Sequence, residues 1–304
     1  MYAKDSWILD DELGYRLADN LDYPLQTQEF NVRLTTNEDG IRDEIQEKYY
    51  TILAIGDSFT MGVGVESNET YAHHLETFIA QDNIATEVIN LGVPGYGTVQ
   101  EQLYLQRMIS RFQPETIILG LLIDNDIRND AIFATTHYSL VDGYLVQGDP
   151  PKNTLIQRIR VFLNTHVYTW VWLKRTLVQI DFIRNFRRSL NKNFDPANDN
   201  ALLTFGWNIT QQTLLNIKHI AETHHANFIV VLIPEKNILE HKTPKETYTF
   251  VHAFLQNNSI PTLDALTLFE NTPDPLSYYF EIDGHWNAKA HKLVAEHLYS
   301  SFFS

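Results

Sequence analysis

The sequence predicts an α/β protein in three layers, with a central parallel sheet of about five strands between two layers of helices. Three observations predict it. Five short apolar runs have the length and composition of fully buried parallel strands. Between them lie segments whose apolar residues recur at three- and four-residue spacing, the signature of helices with one buried face. The first four runs each end in glycine, proline or an Asp/Asn turn, at the rim where such sheets carry function.

Residues 1–50 are polar with scattered aromatics and a predicted hairpin around Asn37-Glu38-Asp39-Gly40, and read as an N-terminal extension packed on the main domain, 51–304. The strands follow in order. Thr51-Ile52-Leu53-Ala54-Ile55 runs into Gly56, and Thr86-Glu87-Val88-Ile89-Asn90-Leu91 into Gly92. The run from Thr116 to Leu122 leads into Asp124-Asn125-Asp126, and that from Asn227 to Ile233 into Pro234. Ile260-Pro261-Thr262-Leu263 is the fifth. Helical spacing covers 70–81, 99–112, 209–225, 244–257 and 287–303. The gap between the third and fourth strands is too long for an ordinary crossover, so 131–208 reads as an inserted, mainly helical subdomain. It opens with a turn at Val141-Asp142-Gly143 and the Pro150-Pro151 pair. A long helical stretch from about 154 to 192 follows, both aromatic (Tyr168, Trp170, Trp172, Phe182, Phe186) and basic (Arg158, Arg160, Lys174, Arg175).

Composition narrows the functional classes. The 304 residues are 44% hydrophobic and 20% charged, which is ordinary for a folded chain and excludes a largely disordered one. The 23 Lys and Arg face 38 Asp and Glu, a formal charge of −15, which argues against a nucleic-acid partner. There is no cysteine, hence no disulfide, thiol nucleophile or cysteine metal site. No run of about 18 apolar residues is present to span a bilayer. The N-terminal residues lack a signal-peptide stretch. The expected compartment is therefore the cytoplasm, or the periplasm and cell envelope if an export segment has been removed.

Four segments carry chemistry. Gly56-Asp57-Ser58-Phe59-Thr60-Met61-Gly62 sits where the first strand gives way to a turn, so Ser58 reads either as a nucleophile beside backbone N–H donors or as a helix-capping serine. Asn90-Leu91-Gly92-Val93-Pro94-Gly95-Tyr96-Gly97-Thr98 follows the second strand, either as a loop that aims an N–H at the same point or as a simple glycine-rich turn. Asn125 is an amide donor or an Asx-type cap. In Asp283-Gly284-His285-Trp286-Asn287, His285 is a general base oriented by Asp283, or the pair caps the last helix. Four such features in one order, each at a strand end or before the last helix, favour the chemical alternative.

Together these segments resemble the SGNH (GDSL) hydrolase superfamily, across roughly 50–130 and 225–303, and the similarity extends to its bacterial cell-envelope members. The resemblance implies a flavodoxin-like α/β/α fold with Ser58 as nucleophile, His285 as base and Asp283 as third triad member. It also implies an oxyanion hole of Ser58, Gly95 and Asn125, with Gly92 as the alternative glycine. Two departures stand out. The superfamily commonly spaces its last block Asp-x-x-His, whereas here it is Asp-x-His, a shorter form used by some envelope branches that modify polysaccharides. Asp124 replaces the glycine usual before Asn-Asp.

The implied reaction is acyl transfer through a serine ester, with no metal or organic cofactor. The expected function is a serine ester hydrolase removing a small acyl group, such as acetyl from a carbohydrate. The alternatives are an O-acyltransferase on a glycan with the same residues, a lipase or lysophospholipase, and, less favoured, a non-catalytic glycan-binding protein. The expected partner is a small-molecule or glycan ester. Asp57, Asp126 and Arg128 are candidate substrate-binding residues beside Asn125, with Asn129 on the same rim. The basic insertion suggests contact with an anionic substrate or peripheral association with membrane or envelope. His73-His74 and His224-His225 read as packing or surface residues. Asp124, Asp126 and Asp130 read as solvated or paired rather than as a cation site, and Gly62-Val63-Gly64 lacks the spacing of a phosphate loop.

Overall fold

The computed structural model describes residues 4–46, 50–134, 138–141, 144–147, 196–243 and 245–304. The expectations for the aromatic and basic stretch 154–192 lie outside the described residues.

Two antiparallel hairpins come first: β1 (Trp7–Asp10) with β2 (Gly14–Leu17), and β3 (Asp22–Gln26) with β4 (Asn31–Thr35). The turn at Asn37–Gly40 exists, with the Asn37 side chain accepting from the N–H of Asp39 and Ile41, but no strand returns from it. This corrects the predicted hairpin. The chain beyond the turn is instead pinned by the buried Arg42 guanidinium, which donates to the carbonyls of Met61, Gly62 and Val65, each at 2.7 Å.

The α/β domain follows. Its elements are β5 (Tyr50–Gly56), α1 (Ser58–Met61), α2 (Tyr71–Ala80), β6 (Thr86–Gly92), α3 (Thr98–Phe112), β7 (Thr116–Leu122) and α4 (Ile123–Phe133). Next come the small antiparallel pair β8 (Tyr138–Val141) and β9 (Tyr144–Gln147), then α5 (Pro196–Thr223) and β10 (Asn227–Ile233). The chain ends with α6 (Lys236–Leu239), α7 (Glu246–Asn257), β11 (Thr262–Asp264), α8 (Ala265–Glu270) and α9 (Ala288–Phe302).

Five strands pair in parallel in the order β11-β10-β7-β5-β6. Helices α2 and α9 pack together on one side, and α3, α4 and α5 on the other. β6 and β7 are buried at every position, which is why these strands read as unbroken apolar runs. α2 buries Tyr71, Ala72, Leu75 and Ile79, the helical spacing visible in the sequence. The outer edge of β6 is closed by side chains: Glu76 accepts from the N–H of Val88 and Asp43 from that of Asn90, each at 3.0 Å.

One helix departs from expectation. The segment predicted over 209–225 begins at Pro196, so the boundary expected at 208 falls inside a continuous helix. The helix lies against α4, where Thr210 donates to Asp130 at 2.6 Å and Leu203 and Trp207 join the core.

The sheet order changes direction at β5, whose neighbours β6 and β7 are reached by crossovers of opposite sense. Folds of this kind open a crevice beyond the carboxyl ends of the strands at such a point. The segments after β5, β6 and β7 carry Ser58, Gly95 and Asn125.

Candidate active site

Asp57 and Ser58 form the junction between β5 and α1. The Asp57 carboxylate accepts from the N–H of Phe59 at 2.9 Å, so Asp57 is the helix cap. That removes the capping alternative for Ser58, which is the first helical residue and whose N–H has no acceptor within the helix. α1 lasts one turn and ends at Gly62.

Ser58 Oγ lies 2.8 Å from His285 Nε2, and His285 Nδ1 lies 2.5 Å from Asp283 Oδ1. All three are half-buried. The imidazole is backed by the Phe59 ring at 4.8 Å, and Phe59 packs edge-on against the fully buried Trp286. The cap of α9 is Asn287, whose side chain accepts from the N–H of Lys289 and Ala290. Asp283 and His285 are thus not spent on starting that helix. The Asp-x-His spacing is accommodated because Gly284 adopts φ +86°, which turns the chain so that residues two apart meet side by side.

Gly95 sits in a turn closed by Tyr96 N–H on Val93 O at 3.2 Å. The loop's carbonyls are occupied from behind. Tyr15 Oη donates to Pro94 O at 3.0 Å, and Asn129 Nδ2 donates to Gly95 O at 3.1 Å and Tyr96 O at 3.3 Å. Among the described residues the Gly95 N–H has no partner. The Gly92 N–H, by contrast, donates to Asn90 Oδ1 at 3.0 Å, which favours Gly95 as the donor. Gly95 has φ +81°, and a Cβ there would stand 2.8 Å from Tyr15 Oη.

Asn125, in the first turn of α4, donates to Asp57 Oδ2 at 3.3 Å. The expected substrate-binding role of Asp57 and Asp126 needs correction, since both are fully buried. Asp126 accepts from the N–H of Leu122 at 2.8 Å and offers substrate no surface. Arg128 is half-buried three residues beyond Asn125, on the same helix face. Asp130 accepts from Thr98, Val99 and Thr210. Among the described residues no group of three or more His, Asp or Glu side chains is arranged to hold a metal ion.

The electrostatics behind the rim are acidic. Burial pushes the Asp57 carboxyl up to about 6, against the pull of the Phe59 N–H and His285. Burial drives both Asp126 and Glu101 well above the usual carboxylate range, reinforced by Glu101, Asp57 and Asp130 at Asp126 and by Asp57 and Asp130 at Glu101. Glu101, fully buried on α3, gave no signal in the sequence. Tyr15 and Glu29 were also missed. Tyr15 reaches Pro94 across 79 residues, and Glu29 accepts from the N–H of Asp283 across 254, so no local pattern marks either.

A serine–imidazole–carboxylate chain at the carboxyl rim of a flavodoxin-like sheet defines the class of SGNH hydrolases. The family model for GDSL-like lipases and acylhydrolases matches residues 54–293, and the chain belongs to that family; it is a serine esterase. Solved structures similar to it include a catalytic mutant of an acetylxylan esterase from Geobacillus stearothermophilus, at 12% identity over 84% of this chain and 94% of that one, TM-score 0.46. The psychrotrophic esterase EstA from a Pseudoalteromonas species is 12% identical over 83% and 95%, TM-score 0.46. A lipolytic G-D-S-L protein from Veillonella parvula is 13% identical over 83% and 98%, TM-score 0.47. A search of curated proteins returns no match.

Proposed function

We propose that the protein removes a small acyl group, such as an acetyl on a carbohydrate, through an acyl-serine intermediate on Ser58. The observation that carries this reading is the unbroken hydrogen-bonded chain from Ser58 through His285 to Asp283. His285 Nε2 takes the Ser58 proton as Oγ attacks the ester carbonyl, and Asp283 holds the proton on Nδ1. The tetrahedral oxyanion is received by the N–H groups of Ser58 and Gly95 and by the Asn125 amide. Asp57 occupies one Asn125 N–H, and the second serves the oxyanion. Each such donor is worth about 2.7–4 kcal/mol of barrier. His285 then returns its proton to the departing alcohol. In the second half-reaction it deprotonates the water that frees the acid.

The small-acyl reading rests on the resemblance to envelope-type relatives with the short Asp-x-His spacing seen here at Asp283-Gly284-His285. The test is turnover of p-nitrophenyl esters of increasing chain length by the parent and by Ser58→Ala. Best activity on acetate, lost by about 10³-fold or more in Ser58→Ala, is the expected result. Preference for long chains replaces this reading with a lipid one. Activity surviving in Ser58→Ala removes the nucleophile.

A further inference from the structure

The loop that carries Asp283 and His285 is closed at its base, where Phe280 N–H donates to His285 O at 2.9 Å beside the bridge between Tyr279 and Trp286. Its tip is a turn without helix or strand. Packing does little to hold that tip. Ile282 is 53% exposed, and a Cβ on Gly284 would meet nothing within 4 Å. The tip's backbone polar groups are instead taken up by two side chains distant in sequence.

Glu29, in the turn between β3 and β4, accepts the N–H of Ile282 with both carboxylate oxygens at 3.0 Å and the N–H of Asp283 at 2.7 Å. Lys236, which opens α6, donates its ammonium to Phe280 O at 3.1 Å and Glu281 O at 2.6 Å. An anion thus holds the donors of this loop and a cation holds its acceptors, and hydrogen bonds to ionised partners are about twice as strong as neutral ones. Phe30, next to Glu29, lies with its ring centroid 5.1 Å from that of Phe280, so the hairpin follows the loop along its length.

We propose that Glu29 and Lys236 are positioning residues for the esterase reaction, a two-sided clamp that sets the 280–285 loop so that Asp283 meets His285 and His285 meets Ser58. The clamp makes the second N-terminal hairpin part of the active site's support. The proposal rests on the acyl-serine reading above. A loop tip with neither packing nor helix to fix it drifts when its hydrogen-bond partners are removed, and misplacement by about 1 Å costs on the order of 100-fold in rate.

The full chain is compared with Glu29→Ala, Glu29→Gln, Lys236→Met and Ser58→Ala. The readouts are kcat and KM on p-nitrophenyl acetate, the rate of covalent labelling of Ser58 by a fluorophosphonate, and the melting temperature. Asp22→Asn breaks the exposed Asp22–Arg33 pair on the same hairpin without touching the loop, and serves as the control. Glu29→Ala is expected to lower kcat about 10- to 100-fold, with labelling falling in parallel and KM within about two-fold. Lys236→Met shifts the same quantities in the same direction. Glu29→Gln keeps an acceptor oxygen and restores kcat to within about three-fold of the parent.

A Glu29→Ala protein that melts earlier but keeps parental kcat per labelled serine overturns the clamp. So does an equal loss in Asp22→Asn, which would assign the effect to the hairpin as a whole and not to its contact with the loop. Should Glu29→Ala not fold, parental kcat in Lys236→Met overturns it. Failure of the underlying reading is distinct: Ser58→Ala would remain active and the serine would not label.

Discussion

The carboxylate of Asp57 and the amide of Asn125 meet at 3.3 Å, joining the turn after β5 to the helix after β7. The same carboxylate caps the one-turn helix that begins with Ser58. One buried residue therefore sets both the helix of the proposed nucleophile, Ser58, and the proposed oxyanion donor, Asn125.

Asp57→Asn separates those duties from stability. The asparagine carbonyl can still cap α1, but its NH₂ would oppose the Asn125 NH₂, so kcat should fall about 10- to 100-fold. Because burial raises the Asp57 carboxyl to about 6, ionising it above that pH costs the folded state, and a neutral amide avoids the cost. The variant is expected to melt higher than the parent at pH 8 while turning over more slowly. A lower melting temperature with unchanged kcat would contradict both halves.

Asp283→Asn tests the proposed orienting carboxylate. Its oxygen now accepts from His285 Nδ1–H at 2.5 Å. An amide that presents NH₂ instead would favour the wrong imidazole tautomer. A loss of about 10²–10⁴ in kcat is expected, with Ser58 labelling slowed alike. Parental kcat in this variant, with an inactive His285→Ala, would reduce the triad to a dyad.

Tyr15 and Gly95 form a pair suited to a double-mutant cycle. Tyr15→Phe leaves the buried Pro94 carbonyl without its hydroxyl donor, a cost of about 1–3 kcal/mol in stability, and loosens the Gly95 loop. Gly95→Ala drives a methyl against Tyr15 Oη at 2.8 Å and strains a φ of +81°. Removing the hydroxyl relieves the clash, so the two losses in kcat and in melting temperature should add to less than their sum. Full additivity would show that the two side chains do not meet in solution.

The contribution of Asp43 to stability should fall as pH rises from about 4 to about 7. Burial, reinforced by Glu76 and Glu87, pushes the Asp43 carboxyl up to about 7. Between its unfolded value and that figure the folded chain holds a proton that the unfolded chain has lost, so raising pH favours unfolding. Below the window both states are protonated, and above it the full cost, on the order of 4 kcal/mol, is present. Asp130 and Asp57, each raised to about 6, add to the same slope, and the buried His291, lowered to about 3, opposes it. Asp43→Asn should flatten the melting temperature across this range, and an unchanged slope would exclude Asp43 as its source.

Much of the fold was legible because its signals are local. β7 and β10 appear in the sequence at their observed limits, since a strand buried on both faces must be apolar throughout. The helices α2, α3, α7 and α9 carry their buried face as a period readable within a dozen residues. α5 begins at Pro196, ahead of its apolar period, and packs against α4. The turn at Asn37 was read rightly as a turn and wrongly as a hairpin, because Arg42 binds the carbonyls around Gly62 and takes the chain elsewhere.

The sequence by itself determined the strands, their alternation with helices, and the delivery of Ser58, Gly95, Asn125 and the Asp283–His285 pair to successive segments in one order. The tertiary structure alone decided that Asp57 and Asn287, rather than Ser58 and Asp283, cap the helices. It also decided that Asp126 lies buried behind the rim, and that Glu29, Lys236 and Tyr15 hold the loops of the site. The division follows from range. Strand burial and helix amphipathicity act between neighbours along the chain, whereas a hydrogen bond spanning 254 residues imprints no pattern on either of the segments it joins.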